Sequence, residues 1–226
     1  MIIECLGDSI TEGFGVSAYS KCYVVLLRKM LGAEVINHGI CATRIAKQKI
    51  ATEDERGERD FLSRVDDLSP NADFVFVFGG TNDYGHGDAL MGEEEGLDPY
   101  TFNGALNELM GKLTKRYGAN KVAFILPLWR YQEESLLGDG RKRIQKYTLE
   151  DYRKAIESRC KAHGVFCLDL RPVLPKPSGF EADAYYIDGL HPNDTGHRII
   201  ASSLYGFLKG KESLSQEKSE NGFGQK

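Results

Sequence analysis

The stretch Phe74-Val75-Phe76-Val77-Phe78-Gly79-Gly80-Thr81-Asn82-Asp83 decides the fold. Five consecutive apolar residues, aromatic alternating with β-branched, make a strand with no polar face. Both of its sides must be covered, as in the middle of a parallel sheet. The two glycines end the strand, and the polar residues behind them are delivered to its carboxyl end. In open parallel sheets that edge is where ligands bind.

Outward from this strand lie four more short apolar or β-branched runs: Ile2 to Leu6, Glu34 to Asn37, Val122 to Leu126 and Val165 to Leu168. Between them, and after the last, the segments Tyr19 to Leu31, Asp60 to Leu68, Tyr100 to Tyr117, Leu149 to His163 and Asp194 to Leu208 carry apolar residues at helical spacing. The alternation predicts an α/β fold, a five-stranded parallel sheet covered by helices. No internal repeat or shift in composition marks a second domain. The expectation is one domain over residues 1–209, with 210–226 a disordered tail too polar to add to a core. Two connections are long for such a fold, Tyr84 to Pro99 and Pro127 to Thr148. Both leave the carboxyl ends of strands and are the expected walls of a substrate site.

A chain of 226 residues with 41% hydrophobic residues can bury one core without disulfides or a structural metal. Its five cysteines, Cys5, Cys22, Cys41, Cys160 and Cys167, are odd in number and include no Cys-x-x-Cys, so they read as packed thiols. The amino terminus has no basic region ahead of its short apolar run, and no later run is long enough to span a bilayer, which gives a cytoplasmic protein with no membrane partner. A net charge of -4 without a basic stretch argues against a nucleic-acid partner.

The first strand ends in Gly7-Asp8-Ser9-Ile10-Thr11-Glu12-Gly13, which puts a hydroxyl at a strand-to-helix turn on the ligand side of the sheet. A serine needs a base to take its proton, and that base needs an orienting carboxylate. Asp188-Gly189-Leu190-His191-Pro192 supplies both, with a spacing that lets Asp188 reach Nδ1 while Nε2 faces Ser9. Donors for a developing oxyanion are available at the same edge: the Ser9 amide, Gly39 in Asn37-His38-Gly39-Ile40, and the Asn82 side chain. Taken singly, each block also reads as a turn or a helix cap.

Taken in order, Gly7-Asp8-Ser9, Gly39, Gly80-Thr81-Asn82-Asp83 and Asp188-Gly189-Leu190-His191-Pro192 resemble the blocks of the SGNH or GDSL-type serine hydrolases. The resemblance implies a flavodoxin-like three-layer sandwich with Ser9, Asp188 and His191 catalytic. It also implies an oxyanion hole of Ser9, Gly39 and Asn82, an acyl-enzyme mechanism, and no metal or organic cofactor. Ile10 replaces the usual leucine, apolar for apolar, and Cys41 and Ala42 stand where relatives often carry small Ser or Gly.

Two rivals use the same fold. A flavodoxin-like nucleotide binder would cradle phosphate in the first loop, where Asp8 and Glu12 would repel it. A non-catalytic carbohydrate-binding module would not need the intact set of Ser9, Asp188, His191 and Asn82. His38, His86, His163 and His197 lack metal-site spacing and read as solvated or locally bonded; His38 and His86 flank the oxyanion blocks and are candidate pocket residues. Candidate substrate contacts are Asp8, Cys41, Trp129, Arg130 and Tyr131. With Arg141, Lys142 and Arg143, the last three mix stacking surfaces and positive charge suited to a sugar face or an anion. Glu93-Glu94-Glu95 reads as soluble surface. No long apolar stripe offers a lipid-docking face, so the expected substrates are small-molecule short-acyl or acetyl esters, carbohydrate esters among them. Longer acyl chains, as for a lysophospholipase or thioesterase, are the alternative.

Overall fold

All five expected strands pair in one parallel sheet of order β2-β1-β3-β4-β5 in the computed structural model, which describes residues 1–51, 55–140 and 146–221, with side chains described up to residue 211. The strands are β1 (Ile2–Gly7), β2 (Glu34–Gly39), β3 (Phe74–Phe78), β4 (Val122–Ile125) and β5 (Phe166–Leu168). The helices are α1 (Ser9–Glu12), α2 (Tyr23–Leu31), α3 (Thr81–His86), α4 (Phe102–Tyr117), α5 (Leu149–His163) and α6 (Asp194–Asn221). α6 thus continues past Leu208 into the segment expected as a tail, and residues 222–226 lie outside the described ones.

The pleat of β3 divides the core into two layers. Val75 and Val77 pack with α4 and α5, whereas Phe74, Phe76 and Phe78 pack with α2 and α6. A sheet with helices on both faces is the expected three-layer sandwich. β1 and β3 are neighbours although β2 lies between them in sequence, so the chain leaves their carboxyl ends in opposite directions. The crevice opened there is where an open α/β sheet places its ligand. Among the described residues no helix is long and apolar enough to cross a membrane.

Two expected helices form differently. Asp60 to Leu68 contains a 3-10 helix over Leu62–Asp67. The Asp60 carbonyl that an α-helix would engage instead accepts Ser63 Oγ at 2.8 Å and Arg64 Nε at 3.4 Å. Tyr19 to Leu31 is interrupted at Cys22, with a 3-10 turn over Tyr19–Lys21 before α2. The Tyr23 N–H, which a continuous helix would return to Tyr19, donates to His197 Nδ1 at 3.1 Å. His197 is accordingly fully buried, its imidazole lowered to about 4 by burial; that differs from a solvated histidine.

Candidate active site

Ser9 opens α1 immediately beyond β1. Asp8 caps this helix by accepting the Ile10 N–H at 3.0 Å, which fixes the turn that points Ser9 at the crevice. Burial of Asp8 pushes its carboxyl up to about 6, against the opposing pull of the Ile10 hydrogen bond, His191 and Arg64. Ser9 is 5% exposed, and its Oγ lies 3.0 Å from His191 Nε2.

The partner loop returns from the far end of the chain. Asp188 Oδ2 lies 2.6 Å from His191 Nδ1, and Oδ1 accepts the backbone N–H groups of His191 at 2.7 Å and Leu190 at 3.1 Å. Burial raises the Asp188 carboxyl, but these hydrogen bonds outweigh it and hold the group below its ordinary value. A carboxylate that stays ionised there fixes the imidazole's orientation and supports its protonated form. The serine, histidine and aspartate expected from sequence are therefore in one hydrogen-bonded line.

Asn82, in the first turn of α3, is 6% exposed, and its Nδ2 donates to Thr43 O at 3.0 Å. Its neighbour Asp83, also buried, accepts the N–H groups of Ile45 and Ala46, each at 2.9 Å, and so ties the loop after β2 to the start of α3. Gly39 ends β2, where a Cβ would meet the Glu12 amide nitrogen at 2.0 Å; its glycine lets β2 and α1 pack backbone to backbone. Its own N–H donates to Asn37 Oδ1 at 2.8 Å. Three residues on, Ala42 holds a left-handed φ of 62°.

The candidate substrate contacts do not all face this line. The Cys41 N–H donates to Glu12 Oε2 at 2.6 Å, and its thiol is pushed up to about 12 by burial and by Glu12, which makes it a poor nucleophile. Trp129 turns toward the 171–176 segment, its ring under the Arg171 guanidinium at 4.0 Å and its Nε1 donating to Arg171 O at 3.3 Å. Arg130 is buried and donates through Nη1 to Thr81 O at 3.0 Å. The Tyr131 N–H donates to Gly189 O at 2.8 Å, and its ring packs edge-on to exposed Phe180 at 4.6 Å. His86 lies within reach of Ala42 O at 3.3 Å, and His38 pairs with buried Glu4 at 2.5 Å. Arg141, Lys142 and Arg143 lie outside the described residues. Among the described residues no three His, Cys, Asp or Glu side chains gather as a metal site.

Sequence reading missed two residues here. Phe14 is 48% exposed, yet its ring lies 4.5 Å from that of His191 at a tilt of 60°. It stands between Gly13 and Gly15, both at φ 101°, and the signal available in sequence was this aromatic residue between two glycines directly after the nucleophile helix. Arg64 is 1% exposed and donates to Gly7 O at 3.1 Å, His38 O at 2.6 Å and Thr43 Oγ1 at 2.9 Å, which ties the ends of β1 and β2 to the loop beyond.

Solved structures share this architecture. A protein from Lactobacillus plantarum is 28% identical, covering 92% of this chain and 96% of its own, with a TM-score of 0.72. The lipase/acylhydrolase from Enterococcus faecalis (23% identical; 93% and 96% covered; TM-score 0.63) and Est24, a carbohydrate acetylesterase from Sinorhizobium meliloti (16% identical; 92% and 98% covered; TM-score 0.67), share the fold. No curated protein matches the chain in sequence. Residues 5–199, which hold every block described above, match the GDSL-like lipase/acylhydrolase family, and the chain belongs to that family.

Proposed function

We propose that this protein hydrolyses carboxylic esters through an acyl-enzyme on Ser9, with short-acyl or acetyl esters as substrates, including those of carbohydrates. The observation that carries the reading is the line from Ser9 Oγ through His191 to Asp188, at 3.0 and 2.6 Å. His191 Nε2 takes the Ser9 proton as Oγ attacks the ester carbonyl. The tetrahedral intermediate then collapses, and the departing alkoxide receives that proton. Water gives its proton to His191 and attacks the acyl-enzyme, which releases the acid and restores Ser9.

The Ser9 amide and the second N–H of Asn82 Nδ2 serve the oxyanion. For the third donor we favour Ala42 over Gly39. The Gly39 N–H is already engaged by Asn37, whereas the Ala42 N–H has no acceptor among the described residues. Ala42 also adjoins Thr43, whose carbonyl holds Asn82.

A fluorophosphonate should label wild-type protein and fail on Ser9→Ala. With p-nitrophenyl acetate, Ser9→Ala or His191→Ala should lower kcat by up to about 10⁶. Undiminished turnover in Ser9→Ala refutes the reading. The preference for short chains is supported by the acetylesterase named above sharing the fold. It fails if kcat/KM rises steadily from acetate to palmitate, the outcome a lysophospholipase or thioesterase would give.

A further inference from the structure

The buried arginines of this protein, compared with one another, single out Arg130. Arg44 meets Glu58 at 3.5 Å, Arg153 meets Asp169 at 2.9 Å, and Arg159 meets Glu94 at 3.1 Å. Arg64 has no carboxylate, but each of its guanidinium nitrogens has an oxygen acceptor: Nε on Arg59 O, Nη1 on Gly7 O and His38 O, Nη2 on Thr43 Oγ1. Arg130, 7% exposed, has neither arrangement. Among the described residues only its Nη1 is engaged, by Thr81 O at 3.0 Å and Thr81 Oγ1 at 3.3 Å, while the guanidinium lies 5.0 Å from the centre of the Tyr84 ring. Among the described residues no carboxylate lies within ion-pair distance. Nε and Nη2 have no protein acceptor, yet they are not sealed from solvent. The undescribed segment Arg141-Lys142-Arg143-Ile144-Gln145 close by in sequence contains no carboxylate either.

Asp139, Asp188 and Asp8 act on the Arg130 charge at longer range, but none of them touches it. Burying a cation without a carboxylate in contact is costly, and such groups concentrate where a ligand completes them. Arg130 is held between two parts of the active site. Thr81 adjoins the oxyanion residue Asn82, and the next residue, Tyr131, donates its N–H to Gly189 O in the loop that carries Asp188 and His191. The edge left open, Nε beside Nη2, is the one that takes a carboxylate with two parallel hydrogen bonds.

We propose that Arg130 selects ester substrates that carry a carboxylate, which it binds through Nε and Nη2 beside the reacting carbonyl. This rests on the esterase reading and adds the substrate's charge to it. Two matched pairs test it, one for each side of the ester: p-nitrophenyl hydrogen succinate against p-nitrophenyl butyrate, and 4-acetoxybenzoate against its methyl ester. In at least one pair the anionic ester should have the higher kcat/KM by about tenfold, mainly through KM, the scale of a charge-assisted hydrogen bond. Arg130→Met should abolish that ratio and Arg130→Lys restore part of it. A variant that merely folds poorly lowers both members of a pair together and leaves the ratio unchanged.

Ratios at or below one in both pairs for the wild type overturn the proposal, as does a ratio that survives Arg130→Met. If no ester is turned over, the esterase reading fails separately. Calorimetric titration of Ser9→Ala protein with 4-acetoxybenzoate and its methyl ester then decides the matter. Tighter binding of the anion, lost in the Ser9→Ala, Arg130→Met double variant, upholds anion recognition; equal binding ends it.

Discussion

Arg64 and Arg130 reach the catalytic edge from opposite flanks of the nucleophile and are built in opposite ways. On the β2 side Arg64 is saturated with oxygen acceptors from β1, β2 and the loop beyond, and Asp83 holds two amides of that same loop. On the β4 side two nitrogens of Arg130 have no acceptor among the described residues, and neighbouring Tyr131 packs against exposed Phe180. On the proposed reading, the first flank uses buried polar groups to hold the reacting atoms in place, and the second leaves groups open to substrate. Substitutions on the two flanks should therefore fail differently, the first in folding and chemical rate, the second in substrate choice.

The strongest way to break this contrast is Arg64→Met. It would leave the carbonyls of His38 and Arg59 and the Thr43 hydroxyl without this donor, while Gly7 O keeps the Ile40 N–H. At roughly 1 kcal/mol for each such group, the loss should reach about 3 kcal/mol, or roughly 6 to 12 °C in Tm for a chain of this size. Thermal unfolding measures it, and a change below about 2 °C would mean that the flank is not held as described. Asn82→Ala comes next. It should lower kcat by about 10² to 10³ with KM little changed, because the lost hydrogen bond strengthens only as the oxyanion forms. A loss confined to KM would place Asn82 in ground-state binding instead.

The contrast also explains what the sequence could reveal. Strand positions were legible to within two residues at either end, because period-two and all-apolar patterns are local. The hydrogen-bonded line of Ser9, His191 and Asp188 was legible because Asp188 and His191 sit three residues apart and Ser9 follows a strand. The ties on the β2 flank were not, since Arg64 and Gly7 are distant in sequence, as are Tyr23 and His197, and no periodicity records such pairs. Gly39 shows the same limit from the other side. A glycine at the right strand end was read as an amide donor, but what requires it is the close approach of α1. α3 left no helical repeat in the sequence, and α1 showed only as a strand-to-helix turn, because six and four residues are too few to display one.

Asp8→Asn sharpens the account of the first flank through pH. Asparagine caps a helix as well as aspartate does, so the variant removes charge while keeping the turn. The folded-state value of Asp8 is raised from 3.8 to about 6. Between these values the folded protein binds more protons than the unfolded chain, so stability from Asp8 is full below about pH 4 and lost as pH rises through 6. Chemical denaturation of both proteins from pH 4 to 7.5 should show the difference moving by roughly 3 kcal/mol in favour of the variant. Parallel curves would show that Asp8 is not buried as a charged group.

The smallest expected effect belongs to Phe14, which lies between the two behaviours. Its backbone is fixed on the nucleophile side, with its N–H donating to Ser9 O at 2.9 Å, while its ring is nearly half exposed against His191. Because that ring stands outside the two core clusters, Phe14→Ala should change Tm little. What it removes is a tilted ring contact on the imidazole, and such a contact is worth about 0.5 to 1.5 kcal/mol. In the proposed reaction the imidazole must keep one orientation while it takes a proton from Ser9 and returns it to the leaving group, so the loss should fall on kcat, by about threefold to tenfold. Phe14→Trp, which restores a ring, should recover most of it. If Phe14→Ala instead raises KM for bulky alcohols and leaves kcat alone, the ring contacts substrate rather than His191, and Phe14 belongs with Arg130 among the residues that choose the ester.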